Sequence, residues 1–253
     1  TEGEEKLMHT VSELATHNPE FFSVTYGAGG STQAGTFNAV ANIRAQGFEA
    51  APHLSCVGAT RANTLNILDE LKAQGVNRIV ALRGDLPSGM GGMGELAHAS
   101  DLVALIREHS GGWFHISVAA YPEYHPQART PQDDLKHFVN KMQAGANTAI
   151  TQYFYNADAY ARFVEDVRAK GVNAPIIPGI MPITNYSRLA RFSETCGAEI
   201  PRWVLLKLAS FGDDAESIKA FGQEVVAQLC ERLVQLGAPS LHFYTLNQAE
   251  PSL

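Results

Sequence analysis

Short apolar runs rich in β-branched and aromatic residues recur along the chain and predict strands. The seven runs are Phe21–Tyr26, Glu49–Leu54, Arg78–Leu82, His115–Ala120, Ala149–Phe154, Pro175–Ile180 and Leu241–Leu246. Most are nearly continuously apolar, which is typical of parallel strands covered on both faces. Amphipathic stretches predict helices, among them Glu4–Thr16, Thr60–Gln74, Asn185–Glu194 and Asp214–Leu236. Strand and helix therefore alternate, as in βα units.

This alternation predicts an α/β fold, and we favour a (β/α)8 TIM barrel over an open doubly wound sheet. Doubly wound sheets commonly carry a glycine-rich turn directly after the first strand, and no GxGxxG motif stands directly after a predicted strand here. Seven strands are one short of a barrel, and the helix Glu4–Thr16 has no strand before it. We therefore expect one barrel domain over residues 1–253 whose first strand is missing. The alternative is a seven-strand structure with an appended helix.

Several residues are predicted to mark helix ends. Thr60 and Ser100 precede apolar helical patterns and are expected to cap them. Gly75 and Gly171 stand where a left-handed residue would end a helix.

Composition and charge exclude several classes of protein. The apolar content of 45% suits a large core, and the net charge of −7 gives no field that would hold nucleic acid or an anionic membrane. The sequence has neither a signal-like start nor an apolar run of membrane-spanning length. Its three cysteines are widely spaced and suggest neither disulfides nor a zinc site. We expect a cytoplasmic protein.

Polar residues follow most predicted strands, where barrel enzymes carry their active sites. Arg83, Gly84 and Asp85 come directly after an apolar strand. The arginine suits a phosphate or a flavin carbonyl, and the aspartate suits a cofactor or a substrate amine. The alternative is a surface ion pair that closes a loop.

Two further segments are candidates for a pocket. Tyr121–Pro126 places aromatic rings and a histidine between two prolines, which suits either a preorganised pocket wall or a rigid turn. Gln152 is either a ligand-binding amide at the mouth of a barrel or a core glutamine with its own partners.

Other chemistries have weaker support. His53, His125 and His242 lie on different predicted strands or loops, but no HxH or HExxH motif places two metal ligands together. A GxSxG motif is also absent, and no cysteine has a local partner pattern. Metal-dependent hydrolysis and nucleophilic catalysis are therefore disfavoured.

Strand-end motifs spread over the whole chain resemble the bacterial methylenetetrahydrofolate reductases. The motifs are Val24–Ala28, Ala50–Leu54, Ala81–Pro87, Ile116–Glu123, Ala149–Gln152, Ile177–Pro182 and His242–Asn247. The resemblance implies reduction of 5,10-methylenetetrahydrofolate to 5-methyltetrahydrofolate by NAD(P)H in a ping-pong reaction through bound FAD. It also implies a homo-oligomer. The alternative is a catalytically disabled barrel that binds flavin or folate.

The resemblance carries site residues over one by one. Those expected to line the flavin site are Thr25, Tyr26, Ala28, His53, Arg83, Gly84, Asp85, Ala99, Tyr121, His125, Ala128, Asp134 and Lys141. Asp85 and Gln152 are expected to act in catalysis and to contact the folate. Phe192 is expected to stack on the substrate, and Arg188 and Gln248 are further substrate-binding candidates.

The chain departs from the family pattern in two ways. The family has other residue types at five positions, which makes the phosphate and folate-tail contacts least secure: His98, His137, Asn140, Arg188 and Gln248. The family also keeps its general acid, a glutamate, on the first strand. No residue of this chain receives that role, which is a second reason to expect a missing strand.

Overall fold

A computed structural model describes residues 2–25, 30–84 and 94–253, and it describes their side chains except at 30–33. Within these ranges the strands are β1 Phe22–Val24, β2 Ala50–Ser55, β3 Arg78–Leu82, β4 His115–Ala120, β5 Thr148–Thr151, β6 Ile176–Ile177, β7 Gly179–Ile180 and β8 His242–Phe243. The α-helices are α1 Glu2–Ala15, α2 Gly30–Ala45, α3 Arg61–Ala73, α4 Ala99–Ser110, α5 Pro131–Gln143, α6 Ala157–Ala169, α7 Tyr186–Cys196, α8 Arg202–Ser210 and α9 Ala215–Gln235. A 3-10 helix, Glu250–Ser252, follows.

The chain forms two compact units. The first comprises Thr1–Ala119 and Asn140–Thr148, and the second comprises Ala120–Val139 and Ala149–Leu253.

In the first unit, β1 to β4 are successive parallel neighbours whose register separates two faces. Leu54, Ala81 and Val118 share the apolar face and are each at most 2% exposed. The opposite face carries polar side chains such as His53 and Ser117. Parallel strands end at the same edge of a sheet, so the residues after β1 to β4 are gathered there.

In the second unit, β5 pairs with β6 and β7 pairs with β8, all in parallel. One predicted run, Pro175–Ile180, thus contains two short strands. Pro178 separates them because it has no N–H to donate to a ladder, although its carbonyl accepts the N–H of His242 at 3.0 Å.

Every other predicted run contains one strand, so the predicted α/β class with parallel βα order is confirmed. Thr60 caps α3 by accepting the N–H of Asn63 at 3.1 Å, and Gly75 and Gly171 have φ values of 72° and 79°, as predicted. The predicted helix cap at Ser100 was wrong. Helix α4 already begins at Ala99, and His98 is its N-cap.

Helix α9 packs closely on the segment after β7 through a glycine. A Cβ atom at Gly222 would lie 2.7 Å from the Cβ atom of Ile183 and closer still to the Ile183 carbonyl oxygen. Gly35 in α2 is the opposite case, because no atom lies within 4 Å of a Cβ built there.

We therefore expect opposite effects from the same substitution at these two helical glycines. Gly222→Ala should lower the free energy of unfolding by about 2 kcal/mol, because backbone must move to admit the methyl group. Gly35→Ala should raise it by about 0.5–1 kcal/mol through helix propensity. Urea unfolding measures both. A Gly222→Ala protein as stable as the parent would contradict the packing.

Candidate active site

The predicted site residues fall in both units. Tyr26, Ala28 and Asp85 lie outside the described residues. The first strand-end group consists of the predicted residues of the first unit: Thr25, His53, Arg83, Gly84, Ala99 and Lys141.

Backbone carbonyls hold the first strand-end group in place. The carbonyl oxygen of Thr25 accepts the hydroxyl of Thr36 at 2.8 Å, and the carbonyl oxygen of Arg83 accepts the hydroxyl of Ser55 at 2.9 Å. The ammonium of Lys141 donates to the carbonyl oxygen of Ala119, near the end of β4, at 2.5 Å. Two cationic side chains, Arg83 and Lys141, thus belong to this group.

Gly84 is a position that only glycine fits. Its φ of 85° lies in the left-handed region, and a Cβ atom there would lie 3.2 Å from the Cβ of Ser55 and overlap its hydroxyl. Gly84 therefore lets the backbone just beyond β3 pack against Ser55, whose side chain fills the space that a Cβ atom would need.

Ala99 begins helix α4, and the residues before it are tied down by a carboxylate. Asp101 accepts the N–H groups of Ala97 and His98 at 3.1 and 2.9 Å. The side chain of His98, one of the departures from the family, is exposed. The departures His137 and Asn140 are also exposed, on α5.

In the second unit, the loop after β4 is a compact arrangement of aromatic rings. The rings of Tyr121 and His125 meet edge to face, with centroids 4.6 Å apart. The N–H of His125 donates to Asp134 at 3.0 Å, and the His125 carbonyl accepts the N–H of Ala128 at 2.9 Å. The N–H of Gln127 donates to Nδ1 of His125 at 3.0 Å, so a neutral His125 carries its proton on Nε2.

Gln152 lies just after β5. Its N–H donates to the carbonyl of Ala120 at 2.8 Å, and its side-chain oxygen accepts the N–H of Tyr153 at 3.0 Å. Among the described residues, none accepts a hydrogen bond from its side-chain nitrogen. Gln152 is half-buried, so this nitrogen is a donor that a ligand can use.

Helix α7 presents two of the predicted substrate-binding residues on one side. Asn185 caps the helix by accepting the N–H of Arg188 at 2.8 Å. Arg188 is exposed and Phe192 is 42% exposed, and their i, i+4 spacing places them one turn apart. Gln248 is also exposed, in the turn after β8, where Leu246 and Asn247 both have positive φ.

Buried tyrosine hydroxyls support the strand ends of the second unit. Tyr153 contacts the hydroxyl of Ser193 at 3.0 Å and the thiol of Cys196 at 3.4 Å. Tyr244 donates to the carbonyl of Thr151 at 2.7 Å. Burial raises the pKa of both tyrosines, so they stay neutral donors. This cluster was not predicted from the sequence, although Tyr153 directly follows Gln152.

Glu123, within the predicted Tyr121–Pro126 segment, joins two segments of the second unit. Its carboxylate accepts the N–H of Glu199 at 2.8 Å, between the loop after β4 and the segment after α7. Burial raises the pKa of Glu123, and the negative charge of Glu199 raises this pKa further. The hydrogen bond from the Glu199 N–H lowers it in part.

Burial raises the pKa of the Cys56 thiol to about 11, so this thiol is protonated at neutral pH. No three His, Cys, Asp or Glu side chains are grouped to hold a metal in the described ranges. None of the helices described there is long and apolar enough to cross a membrane.

A family model described as methylenetetrahydrofolate reductase matches residues 1–253. The chain belongs to the methylenetetrahydrofolate reductase family. The 5,10-methylenetetrahydrofolate reductase of Escherichia coli K12 is 40% identical over 253 residues, which cover 100% of this chain and 84% of that protein. A probable methylenetetrahydrofolate reductase (NADH) of Oryza sativa subsp. japonica is 37% identical over 268 residues, covering 100% of this chain and 45% of that protein.

A solved structure has a similar fold. An uncharacterized protein from Clostridium thermocellum, described as binding two copies of 5-methyl-5,6,7,8-tetrahydrofolic acid, matches with a TM-score of 0.63 and 15% identity. The match covers 95% of this chain and 81% of that one. Because methylenetetrahydrofolate reductases reduce methylenetetrahydrofolate, this family member is an oxidoreductase of folate one-carbon metabolism.

His242 on β8 gives this methylenetetrahydrofolate reductase family member a testable pH dependence. Burial lowers the pKa of His242 from 6.5 to about 4. As the pH falls through this window, His242 is protonated in the unfolded chain but stays neutral in the folded protein. The free energy of unfolding should therefore fall between pH 6.5 and about 4, and His242 should account for roughly 3 kcal/mol of the change.

Urea unfolding across this pH range measures the effect. His242→Gln should flatten the dependence by that amount, whereas the same change at the exposed His17 should leave it unchanged. Equal slopes for the parent and His242→Gln would contradict the assignment.

Proposed function

We propose that this chain reduces 5,10-methylenetetrahydrofolate to 5-methyltetrahydrofolate with NAD(P)H, through bound FAD, in a ping-pong reaction. The observation that carries the proposal is the family match over the whole of residues 1–253, together with polar strand ends in both units. The proposal includes a single catalytic barrel domain, a cytoplasmic location and a homo-oligomer, all supported by the resemblance.

The first strand-end group fits a flavin nucleotide. Arg83 and Lys141 supply the positive charge that suits a diphosphate or the carbonyl oxygens of a flavin ring. Gly84, which packs against Ser55, is proposed to line the same site. Thr25, His53 and Ala99 are proposed as further contacts, and so are Tyr26, Ala28 and Asp85.

Residues of the second unit are also proposed to contact the flavin. Tyr121 and His125 provide two aromatic rings that meet edge to face. Asp134 fixes the loop through the N–H of His125, and Ala128 follows in the same turn.

When bound, FAD supplies the carrier that stores a hydride between two half-reactions. The protein's own part is to orient the two substrates in turn. Gln152 offers an amide N–H to either substrate, and Phe192 offers a ring face that tolerates different planar ligands. Arg188 suits a carboxylate of the folate tail, and Gln248 is a second polar contact. Asp85 is proposed to contact the folate.

Steady-state kinetics test the proposal and its main alternative. With NADH and methylenetetrahydrofolate varied together, double-reciprocal plots should give parallel lines, because one product leaves before the second substrate binds. Intersecting lines would contradict the ping-pong order. Tight flavin or folate binding without turnover would instead indicate a disabled binding protein.

A charge-removing substitution tests the flavin contacts without relying on turnover. Lys141→Met should weaken FAD binding roughly tenfold or more, because a cation near a diphosphate is lost. Lys219→Met, at an exposed lysine of α9, is the control and should leave the FAD dissociation constant unchanged. Fluorescence titration of the apoprotein measures both. Equal constants would remove Lys141 from the proposed site.

A further inference from the structure

The loop after β4 and the end of α7 are joined at two points in the second unit. One is the hydrogen bond of 2.8 Å from the Glu199 N–H to the Glu123 carboxylate. The other is packing of the Pro126 ring on Gly197, where a Cβ atom would lie 3.3 Å from the ring. Gly197 has a φ of 72° and is the left-handed C-cap of α7. The end of this helix therefore lies directly on the loop.

Helix α7 is held from a second side by the segment after β5. The Tyr153 hydroxyl contacts Ser193 at 3.0 Å and Cys196 at 3.4 Å. Tyr153 directly follows Gln152, the amide proposed to meet both substrates. The end of α7 thus contacts both the loop that carries Tyr121 and His125 and the strand end that carries Gln152.

Burying the ionised Glu123 carboxylate to accept the Glu199 N–H is energetically unfavourable. Its pKa is raised by burial, so keeping it ionised costs folding free energy. A single backbone N–H is its hydrogen-bond donor among the described residues. A glutamine oxygen would accept the same hydrogen bond without the cost of burying a charge.

We propose that Glu123 is a positioning residue, which holds the Tyr121–His125 loop on the end of α7 and so fixes the flavin-side rings relative to Phe192. This inference rests on the proposed function for the roles of Tyr121, His125 and Phe192. The acceptor oxygen does the positioning, and the negative charge is dispensable for it.

Two substitutions of similar size separate the oxygen from the charge. Glu123→Met keeps the volume but removes the acceptor, and it should raise the KM for methylenetetrahydrofolate and the FAD dissociation constant, each roughly tenfold. Its kcat should change by less than about threefold, since no reacting group is lost. Glu123→Gln keeps the acceptor and should restore both constants to within about twofold of the parent.

Glu194→Met is the matched control, because Glu194 is exposed on α7. It should leave both constants unchanged. Kinetics are measured well below the melting temperature of each variant, so that a loss of stability alone does not change KM. A Glu123→Met protein with parental constants would overturn the inference, and so would a Glu123→Gln protein as impaired as Glu123→Met.

Hydrogen exchange on the parent protein tests the hydrogen bond between Glu199 and Glu123 without any variant. The Glu199 amide should exchange much more slowly than an unprotected amide, because Glu123 holds it. Rapid exchange would overturn the inference even if the enzyme is active. If the parent protein neither binds FAD nor turns over substrate, the proposed function fails. Slow exchange at Glu199 would in that case still show that Glu123 holds the Glu199 amide.

Discussion

Parallel strand pairing is the constraint on which the candidate site depends. In a parallel pair both strands run in one direction, so the residues that follow them emerge at one edge. In the first unit this brings Thr25, Arg83 and the end of β4 to the same edge, although they are far apart in sequence. Because paired residues share a face, the register also decides that His53 lies opposite the apolar side of the sheet.

The strand ends are then fixed by hydrogen bonds to backbone carbonyls. Ser55 binds the Arg83 carbonyl, Lys141 binds the Ala119 carbonyl and Tyr244 binds the Thr151 carbonyl. Each bond satisfies an oxygen at or just beyond the point where a strand stops. The side chains that hydrogen-bond to these carbonyls thus fix the strand ends. The polar groups at the strand ends are therefore held at defined positions, which is the preorganisation that binding requires.

The parts predicted from sequence are those with a strong local signal. Apolar runs located the strands, because buried parallel strands need apolar side chains on both faces. The Thr60 cap and the left-handed glycines followed from backbone chemistry. Helix α8 was missed, since its exposed Trp203 and Leu206 blur the amphipathic pattern.

Contacts between distant segments could not be predicted. Nothing in the sequence near Glu123 shows that its partner is the N–H of Glu199, because a backbone donor has no residue-specific signature. The cluster of Tyr153, Ser193 and Cys196 is hidden for a similar reason. Its members lie about 40 residues apart, and only the packing of α7 brings them together. The family resemblance supplied roles for Gln152 and Phe192, and the structure supplied their surroundings.

The most direct measurement is the visible absorption spectrum of the purified protein with FAD, recorded without oxygen. We expect the bands of an oxidised flavoprotein, bleaching of these bands by NADH or NADPH, and their return when methylenetetrahydrofolate is added. A protein that takes up no flavin, or whose bound flavin is not reduced by either nucleotide, would contradict it.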